Sequence, residues 1–371
     1  MLTIAFTGGG TGGHIYPGLA VIEYLQKNLC AQDLRLLWVG SNSGMDRSII
    51  ESAALEFYGI PAGKLRRYFS LKTLPDIFRV IGGFFSARRI LRKHAVDLLF
   101  SKGGFVSVAP CAAAASLGIP VFTHESDFSP GLATRLNLRF VRRSNGKIFT
   151  AYEETGRLMP EKVQKQIIVS GNPVRAAFRS ADPEKGRAFL GLNAQERILL
   201  ILGGSQGAQE VNNLIRACLA DLCRYYTVVH QYGPEQCWDL PKTEKYIPLA
   251  YIKEAMPHVC AAAELIVGRS GAGTVWESAV LGKPMILVPL CGSGTRGDQV
   301  ENARFFEREN AALVLFGRDP DAAEKLSQMV SSVADDPGRR RSMAEASLRI
   351  GALDGAAIIG NAINEFIKGR N

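Results

Sequence analysis

Short apolar runs alternate with amphipathic segments along most of the chain. In the first half the runs lie at residues 2–6, 34–39, 97–100, 119–123, 147–150 and 167–169. In the second half they lie at residues 197–202, 227–231, 246–250, 265–267, 285–288 and 312–315. Strands that alternate with helices predict parallel, doubly wound sheets, in which ligands collect at the carboxyl ends of the strands.

The alternation begins twice in the same way, which indicates two domains. A strand, a glycine-rich loop and a helix open the chain, and the same order returns at residues 197–207. A length of 371 residues also exceeds what one compact core usually holds. We therefore predict two Rossmann-like, doubly wound parallel-sheet α/β domains that face each other across a cleft. The first spans residues 1–172 with a C-terminal helix at 355–371, and the second spans residues 173–354.

Composition narrows the class of protein further. The chain is 47% hydrophobic and 21% charged, as globular proteins are. Its seven cysteines are scattered without a C-x-x-C pair, which favours reduced thiols in a cytosolic setting over disulfides or a zinc site. The N-terminus opens directly into a strand, and no apolar run approaches the roughly 18 residues that span a bilayer. We expect a soluble or peripheral protein without a signal peptide.

The excess positive charge is concentrated in residues 64–93. This segment holds nine basic residues and one acid, Asp76, so it accounts for +8 of the net charge of +9. Within it, an apolar stripe recurs at helical spacing, formed by Ile77, Phe78, Ile81, Phe84 and Phe85. A basic amphipathic helix suits an anionic membrane surface, whereas no nucleic-acid-binding motif is present. The alternative is an ordinary amphipathic helix packed on a sheet, and the stripe can serve both.

The loop Gly8–Gly13, with five glycines in six positions, is the first candidate site. A strand that breaks into glycines and restarts as a helix presents N–H groups and a positive dipole end, which suit phosphate. His14 adds an imidazole that exchanges a proton near neutral pH, although a packing role stays open. The spacing also matches the dinucleotide fingerprint, which needs an acid at the end of the second strand. Asp33 lies at the start of that strand instead, which disfavours a nicotinamide enzyme.

Three features of the second half predict a second site. Residues 268–274 end a strand and begin a helix, so their N–H groups suit a diphosphate. One turn later, Glu277 offers a carboxylate that can accept hydrogen bonds from two ribose hydroxyls. Gln299 and Asn302 follow the next strand, and amides both donate and accept, as sugar hydroxyls require. Each feature alone also fits a solvated helix or a capping region, but their order favours a nucleotide-sugar site.

With these motifs the chain resembles the MurG family of inverting glycosyltransferases. The resemblance covers essentially the whole chain. It rests on GGGTGGHIYPGLA (8–20), SKGGFVS (101–107), HES (124–126), GNPVR (171–175), GGSQGA (203–208), SGAGTVWE (270–277) and DQVENA (298–303). It implies the two-domain GT-B fold. It also implies transfer of N-acetylglucosamine from UDP-N-acetylglucosamine to the lipid-linked N-acetylmuramyl-pentapeptide of peptidoglycan synthesis.

Site residues are implied by the resemblance position by position. Thr11, Gly12 and Gly13 would line the donor–acceptor site, together with Asp127. The diphosphate and nucleotide would contact Ser205, Arg175, Ala272, Gly273, Thr274, Val275 and Trp276. The backbone of Ile252 would read the uracil edge, Glu277 would hold the ribose, and Gln299 and Asn302 would bind the sugar. The family usually has Asn where this chain has Asp127, and Gln or His where it has Asp298.

The implied reaction is a single displacement with inversion, in which the acceptor 4-hydroxyl attacks the sugar and UDP leaves. Such a step needs a base, for which the candidates are His14 and Glu125. No D-x-D motif flanked by apolar residues is present, so we expect no metal or other cofactor. Helix N-termini, loop N–H groups and Arg175 would stabilise the leaving diphosphate instead.

The expected location is the cytoplasmic face of the plasma membrane, reached peripherally through residues 64–93. The expected partners are UDP-N-acetylglucosamine, the lipid-linked acceptor, the anionic membrane surface and other cell-wall synthesis proteins, but no nucleic acid. Two alternatives stay open: another GT-B enzyme, such as a UDP-N-acetylglucosamine 2-epimerase or a lipid glucosyltransferase, and a basic nucleotide-sugar-binding protein without activity.

Overall fold

The computed structural model describes residues 2–28, 34–42, 46–63, 73–204, 207–234, 243–292 and 295–369. These residues form two compact units, one of Met1–Arg175 with Asp354–Asn371 and one of Ala176–Leu353. The first unit extends to Arg175 because Val174 is buried and the Arg175 guanidinium lies over the Tyr16 ring, 5.1 Å from its centroid. None of the helices in the described ranges is long and apolar enough to cross a membrane.

The first unit is built around a parallel sheet. Its strands are β1 (Leu2–Thr7), β2 (Leu34–Ser41), β3 (Glu56–Ile60), β4 (Leu98–Ser101), β5 (Val121–Glu125), β6 (Ile148–Thr150) and β7 (Ile167–Val169). They lie in the order β3-β2-β1-β4-β5-β6-β7, with β1 between β2 and β4. The sequence pattern misses β3, whose residues are only partly buried because it is the edge strand.

Helices cover both faces of this sheet. They are α1 (Tyr16–Asn28), α2 (Asp46–Ser52), α3 (Thr73–Lys93), α4 (Val108–Ser116), α5 (Leu132–Arg143), α6 (Glu153–Arg157) and α15 (Gly355–Lys368). One face packs against α3, α4 and α5, and the other against α1 and α15. The strands are apolar on both faces for this reason. On the second face, Phe6 stacks on Trp38 and Phe366 of α15 meets Phe122 edge-on.

The second unit repeats the plan. Its strands are β8 (Ile198–Leu202), β9 (Thr227–Gln231), β10 (Tyr246–Leu249), β11 (Leu265–Gly268), β12 (Met285–Leu287) and β13 (Ala312–Val314), in the order β10-β9-β8-β11-β12-β13. Its helices are α7 (Ala176–Arg179), α8 (Pro183–Leu190), α9 (Gln209–Leu222), α10 (Met256–Ala262), α11 (Ala272–Val280), α12 (Asp298–Arg308), α13 (Ala322–Ala334) and α14 (Pro337–Gly351). The prediction of two parallel-sheet α/β domains is confirmed.

Helix α3 carries the part of the basic segment that the structure describes; residues 64–72 lie outside it. The apolar stripe on this helix divides into two sets. Ile77, Phe78, Ile81 and Phe85 are exposed, whereas Phe84 is partly buried against the sheet core. Arg89, Arg92 and Lys93 are exposed as well. The helix therefore packs through one face and leaves an apolar and basic face uncovered among the described residues.

Candidate active site

The glycine-rich loop after β1 is anchored by Asp46, the first residue of α2. Asp46 is fully buried, and its two carboxylate oxygens accept the N–H groups of Gly10 (2.9 Å) and Ser41 (3.1 Å). The indole N–H of Trp38 donates to the Gly8 carbonyl (3.2 Å). Asp46 is the acid after β2 that the sequence pattern did not single out. Because both of its oxygens hold backbone N–H groups, it braces the loop instead of offering a carboxylate to a ribose.

His14 closes a 3-10 turn, Gly12–His14, at the end of this loop. Its Nδ1 lies 3.0 Å from Thr11 Oγ1, and its side chain is partly exposed. When Nδ1–H donates to Thr11, the lone pair of Nε2 is the basic one. The ring packs against Gly104, which has φ +76°. A Cβ on Gly104 would lie 2.9 Å from the Gly9 carbonyl oxygen and 3.3 Å from His14 Cγ. Glycine at 104 therefore leaves the space that the imidazole uses.

Glu125 ends β5, two residues beyond the apolar run at 119–123. Its side chain is buried, and its two oxygens accept the N–H groups of Asp127 (3.1 Å) and Gly131 (2.9 Å). Thr155 donates to the Phe128 carbonyl in the same loop (2.7 Å). Glu125 therefore fixes the loop at residues 126–131 that leads into α5 and carries Asp127.

A buried polar cluster lies beside this loop. Lys102, which follows β4, donates to Ser126 Oγ (2.5 Å), and Ser126 donates to Asn172 Oδ1 (2.7 Å). His124 Nε2 lies 3.0 Å from the Gly171 carbonyl. Burial holds the pKa of His124 well below its usual value and lowers the pKa of Lys102 to about 8. The motif at residues 101–107 pointed to this region, but not to a role for Lys102.

In the second unit, buried polar residues brace the loop after β11. Arg269 bonds Glu210 Oε2 (2.6 Å) and the Val288 carbonyl (3.1 Å), and so ties together the ends of three neighbouring segments. Asn302 is fully buried and donates to the Ser270 carbonyl (3.2 Å). The described bond of Asn302 thus supports the loop, a role that the sequence did not indicate.

Helix α11 starts in this loop, with Gly271 as its N-cap residue. Ala272, Gly273 and Thr274 are partly exposed, so the first N–H groups of the helix lie near the surface of this unit. Val275 and Trp276 are buried in the core, and Trp276 meets the Phe306 ring edge-on. These two residues can contact a ligand only through their backbone. Glu277, one turn into the helix, is partly exposed.

Gln231, at the end of β9, bonds the backbone of two loops that carry predicted donor contacts. Its Oε1 accepts the N–H of Ile252 (2.8 Å), and its Nε2 donates to the Gly204 carbonyl (3.3 Å). The N–H of Ile252 is thus already bonded, so its carbonyl is the group left to face a base. Ser205 lies outside the described residues. Gln231 was missed because a glutamine at a strand end has no distinctive sequence signal.

At the start of α12, two side chains occupy the edge of the same unit. Gln299 Oε1 accepts the N–H of Leu290 (3.0 Å), and the Gln299 carbonyl accepts from Ser270 (2.8 Å). Asp298 pairs with Arg296 (2.6 Å), which offsets its charge. Within the described ranges, no group of three or more His, Cys, Asp or Glu side chains is arranged to hold a metal ion.

Comparisons with known proteins identify the family to which this arrangement belongs. Residues 4–144 match the glycosyltransferase family 28 N-terminal domain, and residues 198–358 match the family 28 C-terminal domain. A protein of Treponema denticola is 44% identical over 100% of this chain and 99% of its own length. It is named UDP-N-acetylglucosamine–N-acetylmuramyl-(pentapeptide) pyrophosphoryl-undecaprenol N-acetylglucosamine transferase. The chain belongs to the MurG family.

Other relatives agree with this assignment. A Treponema pallidum protein of the same name is 42% identical over 98% of this chain and 96% of its own. Among solved structures, Acinetobacter baumannii MurG has a TM-score of 0.72 at 23% identity, covering 98% of this chain and 100% of its own. The UDP-GlcNAc 2-epimerase of Neisseria meningitidis reaches 0.69 at 14% identity, with the same coverage of both chains. Both solved structures share the fold of this chain, whereas the family assignment rests on the identities of 42% and 44% to the Treponema proteins.

Membership of the MurG family makes the protein a glycosyltransferase. The structure brings the predicted residues together in two groups, one in each unit. Thr11–His14, Glu125 and Asp127 lie at the carboxyl edge of the first sheet. Arg175 belongs to the same unit, and its guanidinium lies over the Tyr16 ring. Ile252, residues 272–277, Gln299 and Asn302 lie at the carboxyl edge of the second. Both sets follow strand ends, where doubly wound sheets bind ligands.

Proposed function

We propose that the protein transfers N-acetylglucosamine from UDP-N-acetylglucosamine to the 4-hydroxyl of the lipid-linked N-acetylmuramyl-pentapeptide, the step that converts lipid I to lipid II. The observation that carries this proposal is 44% identity over the full chain to a transferase of that name. The glycine-rich and polar loops at the carboxyl edges of both sheets also support it. A structural likeness alone would not suffice, because an epimerase shares the fold.

The second unit is proposed to hold the donor. The N-terminus of α11 offers N–H groups and a positive dipole end to the diphosphate. Glu277 is suited to accept the ribose hydroxyls, and the Ile252 carbonyl to accept a uracil N–H. Gln299 and Asn302 are assigned to the sugar, with Asn302 acting largely through the Ser270 loop that it supports. Ser205 and Arg175 complete the proposed contacts to the diphosphate and nucleotide.

His14 is proposed as the base that removes the proton of the acceptor hydroxyl. With Nδ1–H donating to Thr11 Oγ1, Nε2 is the basic ring nitrogen and would accept that proton. Glu125 is the weaker candidate, because both of its oxygens already accept backbone N–H groups in a buried turn. Thr11, Gly12, Gly13 and Asp127 would line the site around the attacking hydroxyl.

No cofactor is assigned to this reaction. Charge that develops on the leaving diphosphate would be stabilised by the α11 N-terminus, the loop N–H groups after β8 and the Arg175 guanidinium. All three are provided by the chain itself. The proposal therefore predicts transfer that does not depend on an added divalent cation.

Helix α3 is proposed to bring the enzyme to the cytoplasmic face of the membrane, where a lipid-linked acceptor resides. Phe78 and Phe85 are 69% and 64% exposed, and Ile77 and Ile81 are also exposed. Arg89, Arg92 and Lys93 follow on the same helix. Apolar area combined with basic charge is the pattern that binds anionic bilayers peripherally. Contacts with other cell-wall synthesis proteins belong to the same proposal.

Incubation of the protein with radiolabelled UDP-N-acetylglucosamine tests the proposed function. With a short-chain lipid-linked muramyl-peptide present, label is expected to move into the lipid fraction, with or without a chelator. Without the acceptor, the donor is expected to stay unchanged. Epimerised donor in the absence of acceptor would indicate the epimerase, and tight binding without turnover would indicate a nucleotide-sugar-binding protein.

A further inference from the structure

Lys102 is a buried lysine that the proposed function leaves without a role. Its side chain follows β4 and is 2% exposed. Among the described residues, its ammonium has one hydrogen-bond acceptor, Ser126 Oγ at 2.5 Å. An ammonium has three donors and is expensive to bury. One hydrogen bond does not offset that cost, so other interactions must stabilise the buried ammonium.

The charges next to Lys102 supply that reason. The carboxylates of Glu125 and Asp127 both act on it electrostatically, and Glu125 is itself buried. Burial keeps the neighbouring His124 neutral at pH 7, because its pKa is well below the usual value. Among these described groups, two carboxylates therefore face one ammonium.

Lys102 also lies between the two loops of the proposed acceptor site. Its Cβ is 3.1 Å from where a Cβ on Gly8 would be, and the following Gly104 packs against the His14 ring. On its other side, its ammonium holds Ser126, which is bonded in turn to Asn172. The loop of His14 and the loop of Asp127 are thus joined through one side chain.

We propose that Lys102 is a positioning residue for the acceptor: its buried ammonium holds the Asp127 loop through Ser126 and offsets the negative charge of Glu125 and Asp127. This rests on the proposed function, in which the acceptor is a sugar diphosphate on a lipid. An uncompensated carboxylate at 127 would repel such an anion, because charges in a partly closed site are weakly screened. The lowered pKa of Lys102, about 8, leaves the ammonium mostly charged at pH 7.

The test compares Lys102→Met, Lys102→Arg, Ser126→Ala, Asp127→Asn and the double variant Lys102→Met with Asp127→Asn. Lys162→Met, at an exposed lysine of the same unit, is the matched control. For each variant, KM for a short-chain lipid-linked acceptor, KM for UDP-N-acetylglucosamine, kcat, Tm and the free energy of unfolding are measured. Ser126→Ala keeps the charge of Lys102 and removes the hydrogen bonds of Ser126 to Lys102 and Asn172, so it separates the charge from the hydrogen-bonded link.

Loss of the charge is expected to raise the acceptor KM by about tenfold and to leave the donor KM within about twofold. Tm of Lys102→Met should not fall below that of the unmodified protein. Lys102→Arg should retain most of the acceptor affinity, the double variant should regain part of it, and Ser126→Ala should lose less than Lys102→Met. The exposed control should behave like the unmodified protein.

An unchanged acceptor KM in Lys102→Met would overturn the proposal, as would a double variant no better than the single one. A fall in Tm with equal losses for donor and acceptor would assign Lys102 a structural role only. If the unmodified protein transfers no sugar, the proposed function fails. The charge pairing is then still tested, because the substitutions at 102 and 127 must be non-additive in unfolding free energy, and additivity would refute it.

Discussion

At the scale of single residues, His14 and Glu125 differ in what their polar atoms already do. His14 is partly exposed with one ring nitrogen on Thr11, whereas both oxygens of Glu125 hold backbone N–H groups. Replacing His14 by alanine is therefore expected to lower kcat by about 10²–10⁴-fold, the usual contribution of a general base. Donor KM should stay nearly unchanged, because His14 is not among the proposed donor contacts, which lie in the second unit except for Arg175. A loss of donor affinity with normal kcat would contradict this assignment.

Glu125→Gln tests whether Glu125 supports the loop at residues 126–131 instead of acting as the base. The glutamine amide would place an NH₂ group against one of the two backbone N–H donors, so one buried hydrogen bond is lost and a donor is left unsatisfied. Chemical denaturation should show a decrease of about 1–3 kcal/mol in unfolding free energy. The loss of kcat should be smaller than that of His14→Ala. A stable variant with the larger loss of kcat would make Glu125 the base instead.

Lys102 gives a stability that depends on pH. Its pKa is about 8 in the folded protein against an ordinary value of 10.5, so the folded state releases this proton first. Below about pH 8 the buried charge destabilises the protein, and between pH 8 and 10.5 that cost disappears. Near pH 7, the free energy of unfolding of Lys102→Met should exceed that of the unmodified protein by about 1–3 kcal/mol. This difference should shrink as the pH rises. A difference that grows with pH would contradict the lowered pKa.

At the scale of elements, the proposed membrane binding is assigned to the exposed face of α3. Replacing Ile77, Phe78 and Phe85 together by serine removes exposed apolar area without touching Phe84, which packs on the core. Partition onto anionic phospholipid vesicles should fall by at least about tenfold, since each buried aromatic contributes about 1.5–3 kcal/mol. Sedimentation with the vesicles measures this, and circular dichroism should report an unchanged fold.

The matched control for α3 is Phe189→Ser in the second unit. Phe189 is 53% exposed and lies on α8, where the exposed charges of Glu184 and Lys185 balance, whereas α3 carries Arg89, Arg92 and Lys93 beside its apolar face. This variant should bind vesicles like the unmodified protein. Equal loss in both variants would show that the binding comes from general hydrophobicity and not from α3.

Elements of the fold were predictable where the pattern was strong. Buried strands such as β1 and β8 show continuous apolar runs, and glycine loops mark the turns after them. The edge strand β3 lacked that run because only part of its surface is covered. The division of the α3 stripe into buried and exposed residues could not be predicted from the sequence either. Phe84 and Phe85 are adjacent in the chain, and only the packing shows which of them turns inward.

At the scale of the whole molecule, the repeated order of strand, glycine loop and helix predicted two α/β units, and the family resemblance predicted the site residues. The supporting residues were not predictable, because long-range contacts define them. Asp46 reaches Gly10, Gln231 reaches Ile252, and Arg269 reaches Glu210. Their sequence neighbourhoods resemble any strand end, so only the folded chain shows which loops they hold.

The most direct measurement of the central claim is the linkage of the sugar in the product. The protein, UDP-N-acetylglucosamine and a short-chain lipid-linked muramyl-peptide are incubated, and the product is analysed by mass spectrometry and proton NMR. A single displacement predicts one added N-acetylglucosamine, joined to the muramyl 4-hydroxyl, with the large anomeric coupling of a β-linkage. An α-linked product, or an acceptor left unchanged while the donor is altered, would contradict the account.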